Sequence, residues 1–137
     1  MQLQTTSKYA IRIMNYMTSS QEKRLFHAKE ISERLNIPYK FLTKIMGDLV
    51  KANLILSTRG REGGYSLAKE ASSIFIIDII NLFDGFTHRE ECFLGIGKCD
   101  GNNICSMHTK WVKPKRLIEK MFEETTLETL KGENFKI

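Results

Sequence analysis

Six consecutive residues constrain this chain more than any others: Arg59-Gly60-Arg61-Glu62-Gly63-Gly64. They are flanked by two short runs that read as strands, Leu54-Ile55-Leu56-Ser57-Thr58 before and Tyr65-Ser66-Leu67-Ala68 after. Three glycines in six residues permit positive φ and therefore a tight hairpin. Two arginines give its tip a positive charge. A charged surface hairpin is common in itself, so its meaning depends on what precedes it.

What precedes it is a pair of short helices. His27 to Leu35 carries Ala28, Ile31 and Leu35 at helical spacing, and Asn36-Ile37 breaks the pattern. Pro38 suits the first turn of a second helix, which runs to about Ala52 with Phe41, Leu42, Ile45, Leu49 and Val50 inward. Its outward face carries Tyr39, Lys40, Thr43, Lys44 and Gly47, which are hydrogen-bonding, cationic or small residues suited to base edges and phosphates. Two helices across a short turn form a helix-turn-helix, and a hairpin directly behind the second helix is a wing. Arginine at a wing tip fits the narrow, negative minor groove. An earlier helix, Ser7 to Thr18, places Tyr9, Ala10, Ile13, Met14 and Met17 on one stripe, with Thr5, Thr6 or Ser7 as its cap. Lys8 and Arg12 share a face of it, either within reach of phosphates or simply solvated.

Charge follows the same division. Residues 1–69 hold twelve Lys and Arg against five Asp and Glu, a net of +7; the remainder holds nine against eleven, a net of −2. A basic half joined to a slightly acidic one suggests a polyanion-binding module, 1–70, and a second module of different purpose, 71–137. With 42% hydrophobic residues the 137-residue chain supports a modest core, which so short a chain often completes by dimerising. No apolar run reaches the roughly 18 residues of a membrane span. The N-terminus lacks the basic and apolar regions of a secretory signal, so the expected compartment is the cytoplasm.

In the second module, Ala71 to Phe83 reads as a helix capped by Ser72 or Ser73, with Ile74, Ile76, Ile77, Ile79, Ile80 and Phe83 apolar enough for burial on two sides. Residues 86–105 lose periodicity and read as a loop. From about Ser106 to Thr125 a long helix returns, with Met107, Trp111, Ile118, Met121 and Phe122 as a stripe suited to a core or a dimer seam. Pro114 falls inside it, so a kink or a start near Lys113 is expected. Thr126 to Leu130 adds a final helical turn before a frayed tail. The fold class is therefore mainly α with a small β-hairpin: a winged helix-turn-helix followed by a long C-terminal helix.

The loop holds all three cysteines, as Cys92-x6-Cys99-x5-Cys105-x2-His108. Structural disulfides are not expected in a reducing compartment, and an odd count leaves one thiol over. Thiolates suit iron–sulfur clusters, copper(I) and zinc, and histidine can replace one cysteine on a cluster. The gaps are wider than the knuckle spacing of structural zinc sites. Four readings stand: an iron–sulfur site, a zinc site, an oxidation-sensitive thiol switch, or cysteines acting as small buried hydrophobes. Enzyme chemistry is not indicated. There is no P-loop, no catalytic carboxylate pair and no Ser/His/Asp arrangement, and His27 and His88 have no evident partners.

Together Ser7-Lys8-Tyr9-Ala10, Ile31 to Ile37, Arg59 to Tyr65, Ala71-Ser72-Ser73-Ile74, the three-cysteine loop and Thr126 to Leu130 resemble the Rrf2 family of winged-helix regulators. The resemblance implies a homodimeric repressor with crossed C-terminal helices. Recognition helices would enter adjacent major grooves of a palindromic duplex, with wings in the minor groove. It implies DNA contacts at Lys8, Tyr39, Lys40, Thr43, Lys44, Arg59, Gly60 and Arg61. It implies a [2Fe-2S] cluster on Cys92, Cys99, Cys105 and His108, with zinc the lesser alternative. Nitric-oxide-sensing members use an acid near the N-terminus as the fourth ligand. That position here is Lys8, which favours His108. The first cysteine gap is one residue longer than in cluster-binding members.

Overall fold

The computed structural model describes residues 3–20, 25–85, 92–132 and 136. His88 and the first part of the cysteine loop lie outside them. The order is α1 (Thr5–Ser19), α2 (Ala28–Leu35), α3 (Tyr39–Lys51), β1 (Ile55–Thr58), β2 (Gly64–Leu67), a 3-10 turn (Ala71–Ser73), α4 (Ile76–Phe83) and α5 (His108–Glu124). Strands β1 and β2 pair antiparallel, Ile55 opposite Leu67 and Thr58 opposite Gly64. Phe26 adds a bridge to Tyr65, with both backbone bonds at 2.8 Å, and seats the wing on the helices. The tightness of the hairpin explains its composition: a Cβ on Gly63 would lie 2.1 Å from the Thr58 carbonyl oxygen.

One apolar cluster runs through the fold. Ala10, Ile13, Met14 and Met17 of α1 meet Ile31 and Leu35 of α2, and Leu42, Ile45, Met46 and Leu49 of α3. Ile74, Ile76, Ile79, Ile80, Phe122 and Leu127 belong to the same cluster, so the core crosses residue 70 without a break.

The structure corrects several local expectations. Phe41 is not inward: it is 63% exposed, and Met46 fills the buried position. None of Thr5, Thr6 and Ser7 is the N-cap of α1; Gln4 stands there and makes no side-chain cap. Instead Asp84, at the end of α4, accepts hydrogen bonds from the Gln4 N–H at 3.2 Å and from the Ser7 hydroxyl. A carboxylate at a helix N-terminus also meets the positive end of the helix dipole. The helix expected over 71–83 is broken. Ile74 and Phe75 are extended, and Phe75, not a serine, stands at the start of α4, its N–H bound by the Asp78 carboxylate at 3.0 Å. The cause is distant in sequence: Ile76 N–H donates to the Thr125 carbonyl at 2.9 Å, and Leu127 N–H to the Ile74 carbonyl at 2.9 Å. The segment after α5 thus makes a single antiparallel bridge, Thr126 opposite Phe75, before it turns at Leu127 to Leu130. Finally, α5 starts at His108, not near Lys113, and passes through Pro114 unbroken. Pro114 is exposed, where solvent can serve the carbonyl its ring leaves without a donor.

Candidate nucleic-acid interface and metal centre

The outward face of α3 is built by helical period. Lys40, Lys44, Gly47 and Lys51 are all exposed and recur at three- and four-residue steps. Tyr39 is 56% exposed at the helix start. Thr43 is half-buried and donates its hydroxyl to the Lys40 carbonyl at 3.1 Å. Arg59, Gly60 and Arg61 are exposed at the hairpin tip, and Lys8 is exposed on α1.

Arg12 plays a part that sequence reading missed. Its guanidinium donates to the Leu35 carbonyl at 2.6 Å and lies 5.8 Å from the Tyr9 ring centroid. Leu35 ends α2, and Asn36 beyond it takes the left-handed conformation at φ 52°. The Ser32 hydroxyl donates to the Ile37 carbonyl at 2.6 Å. Arg12 therefore holds the turn between α2 and α3 from beneath. No local signal marks this, because the partner is a backbone carbonyl 23 residues away. Arg12→Ala is expected to weaken duplex binding by about 1–3 kcal/mol while leaving the salt dependence unchanged. If the exposed Lys8 meets a phosphate, Lys8→Ala should in contrast flatten the slope of log K against log salt by about one. Titrating both variants with salt checks the distinction; a flattened slope for Arg12→Ala would make it a phosphate contact instead.

The second site lies between the cysteine loop and α5. The three sulfurs, of Cys92, Cys99 and Cys105, all lie within 4.8 Å of one another, a group among the described residues that could hold a metal ion. The loop reaches this arrangement through turns at Gly95, Gly97 and Gly101, each with positive φ. Its backbone points at sulfur: Leu94 N–H donates to Cys92 Sγ at 3.3 Å, and Cys105 N–H to Cys99 Sγ at 3.4 Å. The Ile96 N–H is the main cause that lowers the Cys92 thiol to about 7; burial opposes it, and the other two thiols and Leu94 assist. Cys99 shifts the other way. The Cys105 N–H lowers it, but burial and the two neighbouring thiols together outweigh that bond. Cys92 is thus eased toward its thiolate, while Cys99 beside it resists ionisation.

A cleft of about 200 Å³ opens on the sulfurs, lined also by His108, Trp111, Lys115, Arg116 and Glu119 of α5. His108 shares this cleft but not the compact sulfur group. Phe93 packs on Trp111 with ring centroids 5.1 Å apart, which fixes the loop against the helix. A compact thiol set, backbone donors to sulfur and neighbouring cations fit a thiophilic metal or cluster.

A winged helix joined to such a loop has a counterpart among known proteins. The model of the Rrf2 family, described as an iron-dependent transcriptional regulator, matches residues 3–133. This chain belongs to the Rrf2 family. A protein of Aquifex aeolicus named as an HTH-type transcriptional regulator is 38% identical over 127 residues, covering 91% of this chain and 88% of its own. The HTH-type transcriptional regulator IscR of Vibrio atlanticus is 31% identical over 134 residues, covering 98% of this chain and 77% of its own. The solved structure of T. potens IscR superposes with a TM-score of 0.73 at 26% identity, over 93% of this chain and 84% of that one. As an Rrf2 protein the chain is a transcriptional regulator and not an enzyme. No helix among its described residues is long and apolar enough to cross a membrane.

Proposed function

We propose that this Rrf2 protein is a homodimeric repressor whose affinity for a palindromic operator is set by an iron–sulfur cluster on its cysteine loop. The observation that carries the reading is the convergence of three sulfurs on the same small fold as a cationic wing. Residues 1–70 read DNA: Tyr39, Lys40, Thr43 and Lys44 meet the major groove, Arg59, Gly60 and Arg61 the minor groove, and Lys8 a phosphate. Residues 71–137 sense and dimerise. The apolar stripe of α5 supports the second role, because it divides between two faces. Phe122 is buried against the chain's own core, whereas Leu117, at 68%, and Met121, at 54%, are exposed. Large exposed apolar side chains along one helix suit a second copy of the same helix.

Cys92, Cys99, Cys105 and His108 would hold the cluster, of the [2Fe-2S] type, which supplies a one-electron centre sensitive to oxidants and nitric oxide. Anaerobic purification should give coloured protein with iron and acid-labile sulfide. Colourless, iron-free protein after anaerobic reconstitution would sink the cluster and leave the regulator intact. One observation favours a second reading, a single zinc ion. Tetrahedral Zn–S bonds of about 2.3 Å place sulfurs roughly 3.8 Å apart, and all three sulfurs here lie within 4.8 Å. Metal analysis separates the two.

The wing gives a quantitative check. Arg59→Ala is expected to cost about 1–3 kcal/mol of operator affinity. Unchanged binding would remove Arg59 from the interface.

A further inference from the structure

Gly47 lies in the interior of α3, where glycine is among the poorest residues a helix can hold. Two ordinary reasons for a glycine are absent. Its φ is not positive, and a Cβ built on it would meet no atom within 4 Å. The residue is exposed, and it lies one turn from Lys44 and from Lys51 along the helix, at the edge of the lysine stripe formed with Lys40. The helix bears a penalty there that nothing among the described residues offsets. Whatever requires the missing side chain lies outside the chain.

We infer that Gly47 is the point of closest approach between α3 and the floor of the major groove. Cationic side chains at Lys40, Lys44 and Lys51, along the neighbouring stripe, can reach past it to phosphates, as long arms do. The bare backbone at Gly47 lets the helix seat against base edges beside them. A methyl group at this position would lift the helix off the bases while leaving phosphate contact at arm's length. Gly47 is then a determinant of sequence-specific binding and not of general affinity for duplex. This inference rests on α3 being the recognition helix.

The experiment uses the full chain, wild type and the variants Gly47→Ala and Gly47→Leu. The duplex is one selected by the wild-type protein from a randomised pool, beside a scrambled duplex of equal length. Gly47→Ala should raise the melting temperature by a few degrees, since alanine favours the helix and nothing inside the fold resists it. The same variant should weaken binding to the selected duplex by about tenfold or more, with scrambled-duplex affinity changed by less than about twofold. Gly47→Leu should deepen the loss. Gly47→Ala binding the selected duplex as well as wild type overturns the inference, as does an equal loss on both duplexes. A lowered melting temperature also overturns it, because the glycine would then serve the fold. Wild-type protein that selects no duplex would overturn the DNA-reading assignment of α3 itself, a failure seen before any variant is made.

Discussion

Cys92→Ala should abolish metal or cluster loading: iron and sulfide, or zinc, per protomer should fall by more than about tenfold relative to wild type. Of the three cysteines Cys92 is the buried one, and the other two are half-exposed. Its sulfur accepts the Leu94 N–H, and its thiol is lowered to about 7, chiefly by the Ile96 N–H. The loop is folded around it, since Cys92 N–H donates to the Gly97 carbonyl at 3.1 Å and Gly95 N–H to the Cys92 carbonyl at 2.9 Å. Removing Cys92 Sγ leaves two sulfurs, one of them a thiol that is hard to ionise. The fold should survive, because Cys92 stands outside the main apolar cluster; far-ultraviolet circular dichroism should match wild type. His108→Ala tests the fourth position separately and should weaken loading without abolishing it. The pH dependence has a definite sign. The metal-binding form is the thiolate, and the lowered Cys92 value keeps it populated down to about pH 7. Loading should therefore weaken as pH falls through about 7, where Cys92 regains its proton. Wild-type loading retained by Cys92→Ala would show that the sulfur cluster is not the site.

Much of this architecture was legible because it depends on local spacing. The breaks at Asn36 and Pro38, and the glycines after Arg59, mark boundaries that neighbouring residues alone determine, and α2, α3 and the hairpin appear where expected. The cysteine group was legible for a similar reason, since a glycine-rich loop of fourteen residues can bring its own thiols together. What was hidden depends on partners far along the chain. The break at Ile74 and Phe75 exists because Thr125 to Leu127 pairs with that segment. Capping of α1 comes from Asp84, 77 residues from Ser7, and support of the α2–α3 turn comes from Arg12. His108 follows Cys105 at a ligand-like interval, yet lines the cleft wall, because sequence spacing fixes a backbone position and not a side-chain direction.

The rotation of α3 about its axis is the other feature that sequence reading left partly wrong, and it has a large energetic consequence. Leu42, Ile45 and Leu49 set the inward direction, and Met46 completes it at 0% exposure. Phe41 lies about 100° from Leu42 around the helix, on the flank. There it borders a cavity of about 470 Å³ shared with Tyr9, Ile45 and Phe83. Met46→Ala should therefore destabilise the protein by about 2–5 kcal/mol, the cost of removing a fully buried side chain and leaving a void. Phe41→Ala should change stability by no more than about 0.5 kcal/mol, despite deleting the larger side chain, because most of that ring is already in water. Urea unfolding with unchanged m-values measures both. The comparison tests more than two residues. The same rotation that buries Met46 turns Lys40, Lys44 and Gly47 outward together. If Phe41→Ala proved the costlier change, α3 would be turned about its axis, and the face assigned to DNA would be the wrong one.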